Sequence, residues 1–164
     1  MVTFTGTNLD DFITSDADLI SARKGNDTIH ATNAVAATVQ GGEGADLIFY
    51  DGAGSASLSG GDAGDTMTGG GFEDTLAGEN GADLLFGGDG DDRLVGADGL
   101  DQLFGGLGLD TLVGGNNDDI LDGGAGPDRL EGGVGLDAAS YQSSAIGVRV
   151  DLVNPAANTG DAAG

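Results

Sequence analysis

Apolar residues recur along this chain with a period of nine. They fall at Met67, Leu76, Leu85, Leu94, Leu103, Leu112, Leu121 and Leu130, and each sits between more variable neighbours. The stretch Gly60 to Ser140 divides into nine consecutive nonapeptides without insertion: GGDAGDTMT, GGGFEDTLA, GENGADLLF, GGDGDDRLV, GADGLDQLF, GGLGLDTLV, GGNNDDILD, GGAGPDRLE and GGVGLDAAS. Position eight is the apolar one and ends at Ala139; position one is always Gly. Position six is always Asp: Asp65, Asp74, Asp83, Asp92, Asp101, Asp110, Asp119, Asp128 and Asp137. Each unit reads as a six-residue turn followed by a three-residue strand, whose middle residue points inward and whose neighbours point outward. Glycine at positions one, two and four lets the turn reach positive φ. Two units then make one coil of a flattened solenoid, with two parallel sheets closing over one apolar residue per strand. Coils stack at about 4.8 Å, so about seven of them give a rod about 35 Å long.

The pattern is looser before Gly60. Met1 to Thr5 reads as a starting strand. Gly6 to Thr14 is a degenerate unit with Asp11 and Ile13, and Ser15 to Ser21 is short by two residues and irregular. Ala22 to His30 is in register with Asp27 and Ile29. Ala31 to Gln40 is one residue too long and puts Ala37 where Asp belongs. Gly41 to Phe49 is a good unit with Asp46 and Ile48, Tyr50 reads as an extra residue, and Asp51 to Ser59 carries Ala56 at position six. Residues 1–140 thus form one repeat domain, with degenerate units at 6–59 and regular ones at 60–140. After a small polar link at Tyr141 to Ala145, alternating Val148, Val150 and Leu152 predict one more strand. Asn154-Pro155 breaks it, and the final GDAAG reads as the start of a further glycine-rich unit that is cut off. Residues 141–164 are therefore expected to be a truncated strand or cap segment of a longer protein.

Composition sharpens the reading. Asp and Glu number 28 against 5 Lys and Arg, for a net charge of −23, and Gly numbers 34. Nucleic acid is not expected as a partner, because its phosphates would be repelled. No apolar run is long enough to span a membrane, and no basic and apolar leader follows Met1. Cys and Trp are absent, so there are no disulfides or thiolate metal sites. Such a composition alone favours disorder, since repulsion is large and apolar burial small. The regular spacing says otherwise, and five cations cannot neutralise the acidic rows. The counter-charge has to come from solution.

In the solenoid the Asp of one unit lies beside the Asp of the unit after next. Bare carboxylates one strand-spacing apart repel. A hard divalent cation between them removes the repulsion and accepts further oxygens from backbone carbonyls freed by the glycine turn. Calcium takes six to eight oxygens with loose geometry, whereas magnesium demands a tight octahedron and keeps its waters, so carbonyl-rich sites favour calcium. With His30 as the one histidine, zinc and copper are not expected. One edge of the solenoid links Asp27, Asp46, Asp65, Asp83, Asp101, Asp119 and Asp137, with about six sites and a further one at Asp11. The other has Ala37 and Ala56 early, then Asp74, Asp92, Asp110 and Asp128, with about three.

The units resemble the repeats-in-toxin (RTX), haemolysin-type nonapeptide GGxGxDxUx, an established calcium-binding β-helix repeat. The resemblance covers nearly the whole stretch from Gly6 to Ser140. It implies an all-β fold, a right-handed parallel β-roll, and a ligand set of backbone carbonyls around the aspartates. From the first unit of each pair it implies carbonyls at position two (Gly42, Gly61, Gly70, Gly88, Ala97, Gly106, Gly115) and position four (Gly44, Ala63, Gly81, Gly90, Gly99, Gly108, Asn117). From the unit after next it implies position one (Gly78, Gly87, Gly96, Gly105, Gly114, Gly123, Gly132) and position three (Asn80, Asp89, Asp98, Leu107, Asn116, Ala125, Val134). One site would thus use Gly88, Gly90 and Asp92 with Gly105, Leu107 and Asp110. Another would use Ala97, Gly99 and Asp101 with Gly114, Asn116 and Asp119. Phe72 in place of Gly at position four, and the one-residue shift of glycine at Ala63-Gly64, weaken the sites they belong to. Asn117 is milder, since Asn tolerates left-handed geometry.

A site held at ten times its Kd adds roughly 1.4 kcal/mol to folding, and about nine sites add about 12 kcal/mol, comparable with the stability of a whole domain. Extracellular calcium modules have Kd near 10⁻⁴–10⁻³ M, roughly a range left empty in cytosol and filled outside cells. The expectation is a non-enzymatic module, unfolded without calcium, belonging to a secreted protein. Modules that resemble it are parts of proteins exported by type I secretion. Two other readings stay open: a carbohydrate-associated module of an extracellular enzyme of the alginate epimerase type, and a spacer or adhesion segment of a surface protein. No nucleophile–histidine–acid set is visible. Outward positions of one sheet carry Phe12, Leu47, Phe49, Leu84, Phe86, Phe104 and Ile120. This stripe is a contact surface in expectation, covered by the Val148–Leu152 strand, by a second copy or by a neighbouring domain.

Overall fold

The computed structural model describes residues 3–32, 35–140 and 149–151. Its elements are seventeen strands: β1 (Thr3–Thr5), β2 (Phe12–Ser15), β3 (Leu19–Lys24), β4 (Thr28–Ala31), β5 (Ala36–Glu43), β6 (Leu47–Tyr50), β7 (Ser55–Asp62), β8 (Thr66–Gly71), β9 (Thr75–Asn80), β10 (Leu84–Asp89), β11 (Arg93–Asp98), β12 (Gln102–Leu107), β13 (Thr111–Asn116), β14 (Ile120–Ala125), β15 (Arg129–Val134), β16 (Ala138–Ser140) and β17 (Arg149–Asp151). Odd strands form one nine-stranded sheet and even strands one eight-stranded sheet, each in sequence order. Every pairing is parallel, and Leu94 pairs with Leu112 and Leu85 with Leu103, eighteen residues apart. The result is an all-β parallel β-solenoid of about eight coils, one more than the sequence spacing suggested.

Position eight fills the interior. Met67, Leu76, Leu85, Leu94, Leu103 and Leu112 are fully buried, as are Ile20, Ile29, Val39 and Ile48 in the degenerate part. This single file of aliphatic side chains is the whole apolar core of the regular coils. Each flat sheet contributes alternate residues to it.

The strands are longer than the three residues expected. In the regular part they run six residues, from position seven through position three of the next unit, because the glycines pair as well. Irregular stretches also keep the ladder. Ser15 to Ser21 places Ile20 between Phe4 and Val39 in register, so the shortfall is taken up in its turn. Tyr50 is not a spacer: it pairs with Ala31 at the end of β6 and is 2% exposed, which makes it the position-one residue of its unit. The extra length then falls in the turn after it.

The outward stripe is on one sheet, as its spacing required. Phe12, Leu47, Leu84 and Ile120 belong to one column and Phe49, Phe86 and Phe104 to the next. Phe86 and Phe104 stack at 5.1 Å. One expected cover is ruled out. β17 extends the opposite sheet, with Arg129 opposite Arg149 and Leu130 opposite Val150, and so does not lie over the stripe. Val148, Leu152, the link at 141–145 and the tail from Asn154 lie outside the described residues. Among the described residues no helix is long and apolar enough to cross a membrane.

Candidate metal centre

The turn between the two sheets begins with the strand's own chemistry. After the inward aliphatic residue the chain makes a glycine at position one, buried because the backbone passes directly under the next coil. At Gly87 an added Cβ would overlap Asp92 Oδ2 and stand 2.6 Å from the Gly105 carbonyl; at Gly96 it would overlap Asp101 Oδ2 and stand 2.7 Å from the Gly114 carbonyl. The missing side chain therefore leaves a small space that an aspartate of the same unit and a carbonyl of the coil after share. Both pairs belong to the ligand sets expected from sequence.

Position six builds two ladders along the rod. The N–H of each Asp donates to Oδ1 of the Asp one coil on. On one edge this joins Asp11, Asp27, Asp46, Asp65, Asp83, Asp101, Asp119 and Asp137, at 2.6 to 3.1 Å. On the other, Ala56 N–H donates to Asp74, and the ladder continues through Asp92 and Asp110 to Asp128 at 2.6 to 3.0 Å. The second oxygen is left over: Oδ2 of Asp27, Asp46, Asp65, Asp74, Asp83, Asp92, Asp101, Asp110, Asp119, Asp128 and Asp137 is buried without a hydrogen-bond partner among the described residues. These aspartates are themselves 1 to 4% exposed. A buried, unpaired carboxylate is costly, so an isolated roll of this kind is electrostatically incomplete.

Burial drives the carboxyls upward from their usual range. Asp65, Asp92 and Asp119 rise to about 7, and Asp46, Asp74, Asp83 and Asp110 to about 6. Asp27, Asp101, Asp128 and Asp137 shift the same way. The backbone N–H that each Oδ1 accepts pulls the other way. Neighbouring carboxylates add to the rise, Asp83 and Asp46 on Asp65 and Asp110 and Asp74 on Asp92.

Positions two and four carry the turn. Gly42, Gly61, Gly70, Gly88, Gly106 and Gly115 at position two, and Gly44, Gly81, Gly90, Gly99 and Gly108 at position four, all have positive φ. Ala97 (φ 86) and Asn117 (φ 79) adopt the same geometry without being glycine. Ala63 does too (φ 78), so the displaced glycine beside it leaves the turn's backbone unchanged. Phe72 is the real departure. It is absent from the left-handed set and is about half exposed. At position three the side chains turn outward: Asn80 donates to Asp62 (2.9 Å) and Asn116 to Asp98 (2.5 Å), while Leu107 and Val134 are exposed. The carbonyls of this position, expected as ligands, accept backbone N–H groups of the preceding coil, Leu107 from Gly90 (2.8 Å), Asn116 from Gly99 (3.2 Å) and Val134 from Asn117 (2.7 Å).

Two acids behave in ways the spacing did not reveal. Asp11 does not leave an oxygen over; its carboxylate accepts the Thr7 N–H (2.6 Å) and the Thr7 hydroxyl (3.0 Å), closing the first ladder within its own loop. Asp18 occupies position six of the second edge, since its carbonyl accepts the Thr38 N–H as the Asp74 carbonyl accepts that of Arg93. Ala37 and Ala56 separate it from Asp74. The signal was present, an Asp two residues before the inward Ile20, but the shortened turn hid it.

Among the described residues no three His, Asp or Glu side chains converge on one point. The acids come in pairs across coils, so the remaining ligands of any cation have to be carbonyls, and oxygen-only donors of this kind fit a hard ion such as calcium. His30 is engaged elsewhere, 2.9 Å from Asp51 on the surface. A family model of the RTX calcium-binding nonapeptide repeat, in four copies, matches residues 12–33, 59–94, 68–103, 77–112, 95–130 and 104–138, more than half of the chain. No individual curated protein matches it. Repeat, parallel solenoid and paired buried acids agree: the chain belongs to the RTX calcium-binding nonapeptide repeat family.

Proposed function

We propose that this chain is a module that folds when it binds several calcium ions, about nine, in the space outside cells, as part of a protein exported by type I secretion. The supporting observation is the row of buried aspartate oxygens without partners among the described residues, of which those of Asp46, Asp74, Asp83, Asp92, Asp101, Asp110 and Asp119 each border a position-one glycine beside a carbonyl of the next coil. A divalent cation would supply the missing positive charge and join consecutive coils.

On the first edge the ions lie between Asp27 and Asp46, Asp46 and Asp65, Asp65 and Asp83, Asp83 and Asp101, Asp101 and Asp119, and Asp119 and Asp137. On the second they lie between Asp74 and Asp92, Asp92 and Asp110, and Asp110 and Asp128. The carbonyls of positions one to four complete each shell. Asp11 takes no part, because Thr7 already satisfies it. The module's work is structural and it performs no catalysis of its own. Low calcium inside the cell keeps the chain unwound for export, and higher calcium outside winds it.

Circular dichroism during a calcium titration tests the reading. At pH 8 the β-signal is expected to be lost in excess EDTA and regained cooperatively as calcium is added. An unchanged β-signal in EDTA at that pH would reject it.

A further inference from the structure

The two edges of the roll are built differently at its N-terminal end. At position six Ala37 and Ala56 replace aspartate on the second edge, and both are buried. At position one Ala31 and Tyr50 replace glycine and are also buried. The strands change with them. β5 and β7 run eight residues instead of six, and Ala37 pairs with Ala56 inside the ladder. Part of the turn of the regular units is here an extension of the sheet, and alanine side chains with the Tyr50 ring take the places of glycine and aspartate. The coil of Asp46 buries one acid; the coil of Asp83 and Asp92 buries two.

We infer that calcium winds this chain in two stages, the coils between Phe12 and Asp62 first and the regular coils after Thr66 second. The inference rests on the proposed calcium sites. The early coils have a dry second edge and need ions on one side only. They gain apolar burial where the later coils need charge neutralised, so they close at lower calcium. Once formed, they present the exposed edges of β6 and β7 to the chain that follows. β8 and β9 then pair on a preformed template, in the fixed register that Leu58 and Leu76 define. Folding free energy in such a stack is a sum over neighbouring units, so a difference in ion demand becomes a difference in midpoint.

Hydrogen exchange with mass spectrometry, on the full chain across a calcium series starting in EDTA, tests the order. Peptides from Ile13 to Asp62 are expected to become protected at a calcium midpoint at least about threefold below that of peptides from Leu85 to Glu131. A single shared midpoint, or protection of the later coils first, overturns the inference while leaving the calcium sites standing. Protection indifferent to calcium removes both. The double variant Tyr50→Gly, Ala56→Asp returns glycine and aspartate to the dry edge and is expected to bring the two midpoints together. Midpoints that stay apart in it, with the variant folded at saturating calcium, also overturn the inference.

Discussion

The backbone N–H of Asp92 donates to Oδ1 of Asp110 at 2.9 Å, while Oδ2 of the same Asp110 is buried without a partner. One oxygen ties two coils together and the other is the one assigned to an ion in the proposed function. Asp110→Asn separates these roles, since the amide oxygen still accepts the N–H while the charge is gone. The variant is expected to fold at saturating calcium, to bind fewer ions by isothermal titration calorimetry, and to need more calcium at its midpoint. An ion count equal to the parent's would remove Asp110 from the ligand set.

Acid is expected to stand in for the metal. The buried carboxyls have folded-state values near 6 to 7 in Asp46, Asp65, Asp92 and Asp119, above those of an unfolded chain. A group whose value rises on folding favours the fold when protonated. That contribution is complete below about pH 4 and is lost as pH climbs through about 6 to 7. In EDTA the β-signal is therefore expected at pH 4 and absent at pH 8. With calcium the dependence reverses, because binding displaces protons and calcium affinity falls as pH drops through the same window. Circular dichroism and calcium titration at both pH values check the two signs.

The position-one cradle makes a steric prediction. Gly87→Ala places a methyl over Asp92 Oδ2 and 2.6 Å from the Gly105 carbonyl, and is expected to cost about 1–3 kcal/mol of calcium-loaded stability. Gly71→Ala meets only the Asp89 Cβ at 3.9 Å, and is expected to stay within about 0.5 kcal/mol of the parent. Denaturant unfolding in saturating calcium distinguishes them, and equal losses would dismiss the cradle as a constraint.

Ala97 offers the opposite test. It sits at position two with φ 86, where Gly88, Gly106 and Gly115 stand in neighbouring units. An L-residue in this region costs about 1–2 kcal/mol, so Ala97→Gly is expected to stabilise the calcium-loaded roll by about 1 kcal/mol. A lower melting temperature than the parent's would show that the Ala97 methyl makes contacts worth more than the strain.

Much of this architecture could be read from residue order. Asp at position six and Leu at position eight, repeated without slip from Asp65 to Leu130, fix the parallel register, the inward file and the pairing of acids one coil apart. The same period placed Phe86 beside Phe104. What escaped was wherever length changed. Tyr50 read as surplus because it follows a complete unit, yet it pairs with Ala31 and is buried as the position-one residue of its own unit, and the extra length falls in the turn after it. Asp18 was hidden by a turn two residues short. Strand length was underestimated because glycine reads as turn, whereas here the glycines pair along the ladder and open their φ within it.

In the regular coils, pairing at a constant separation of eighteen residues has a mechanical corollary. A coil at the end of the stack is held mainly by the single coil beneath it, so tension on a terminus peels the rod one layer at a time. Each layer that gives way frees eighteen residues, about 60 Å of extended thread. The regular part of the molecule would then lengthen under load in even steps, like a spool paying out line.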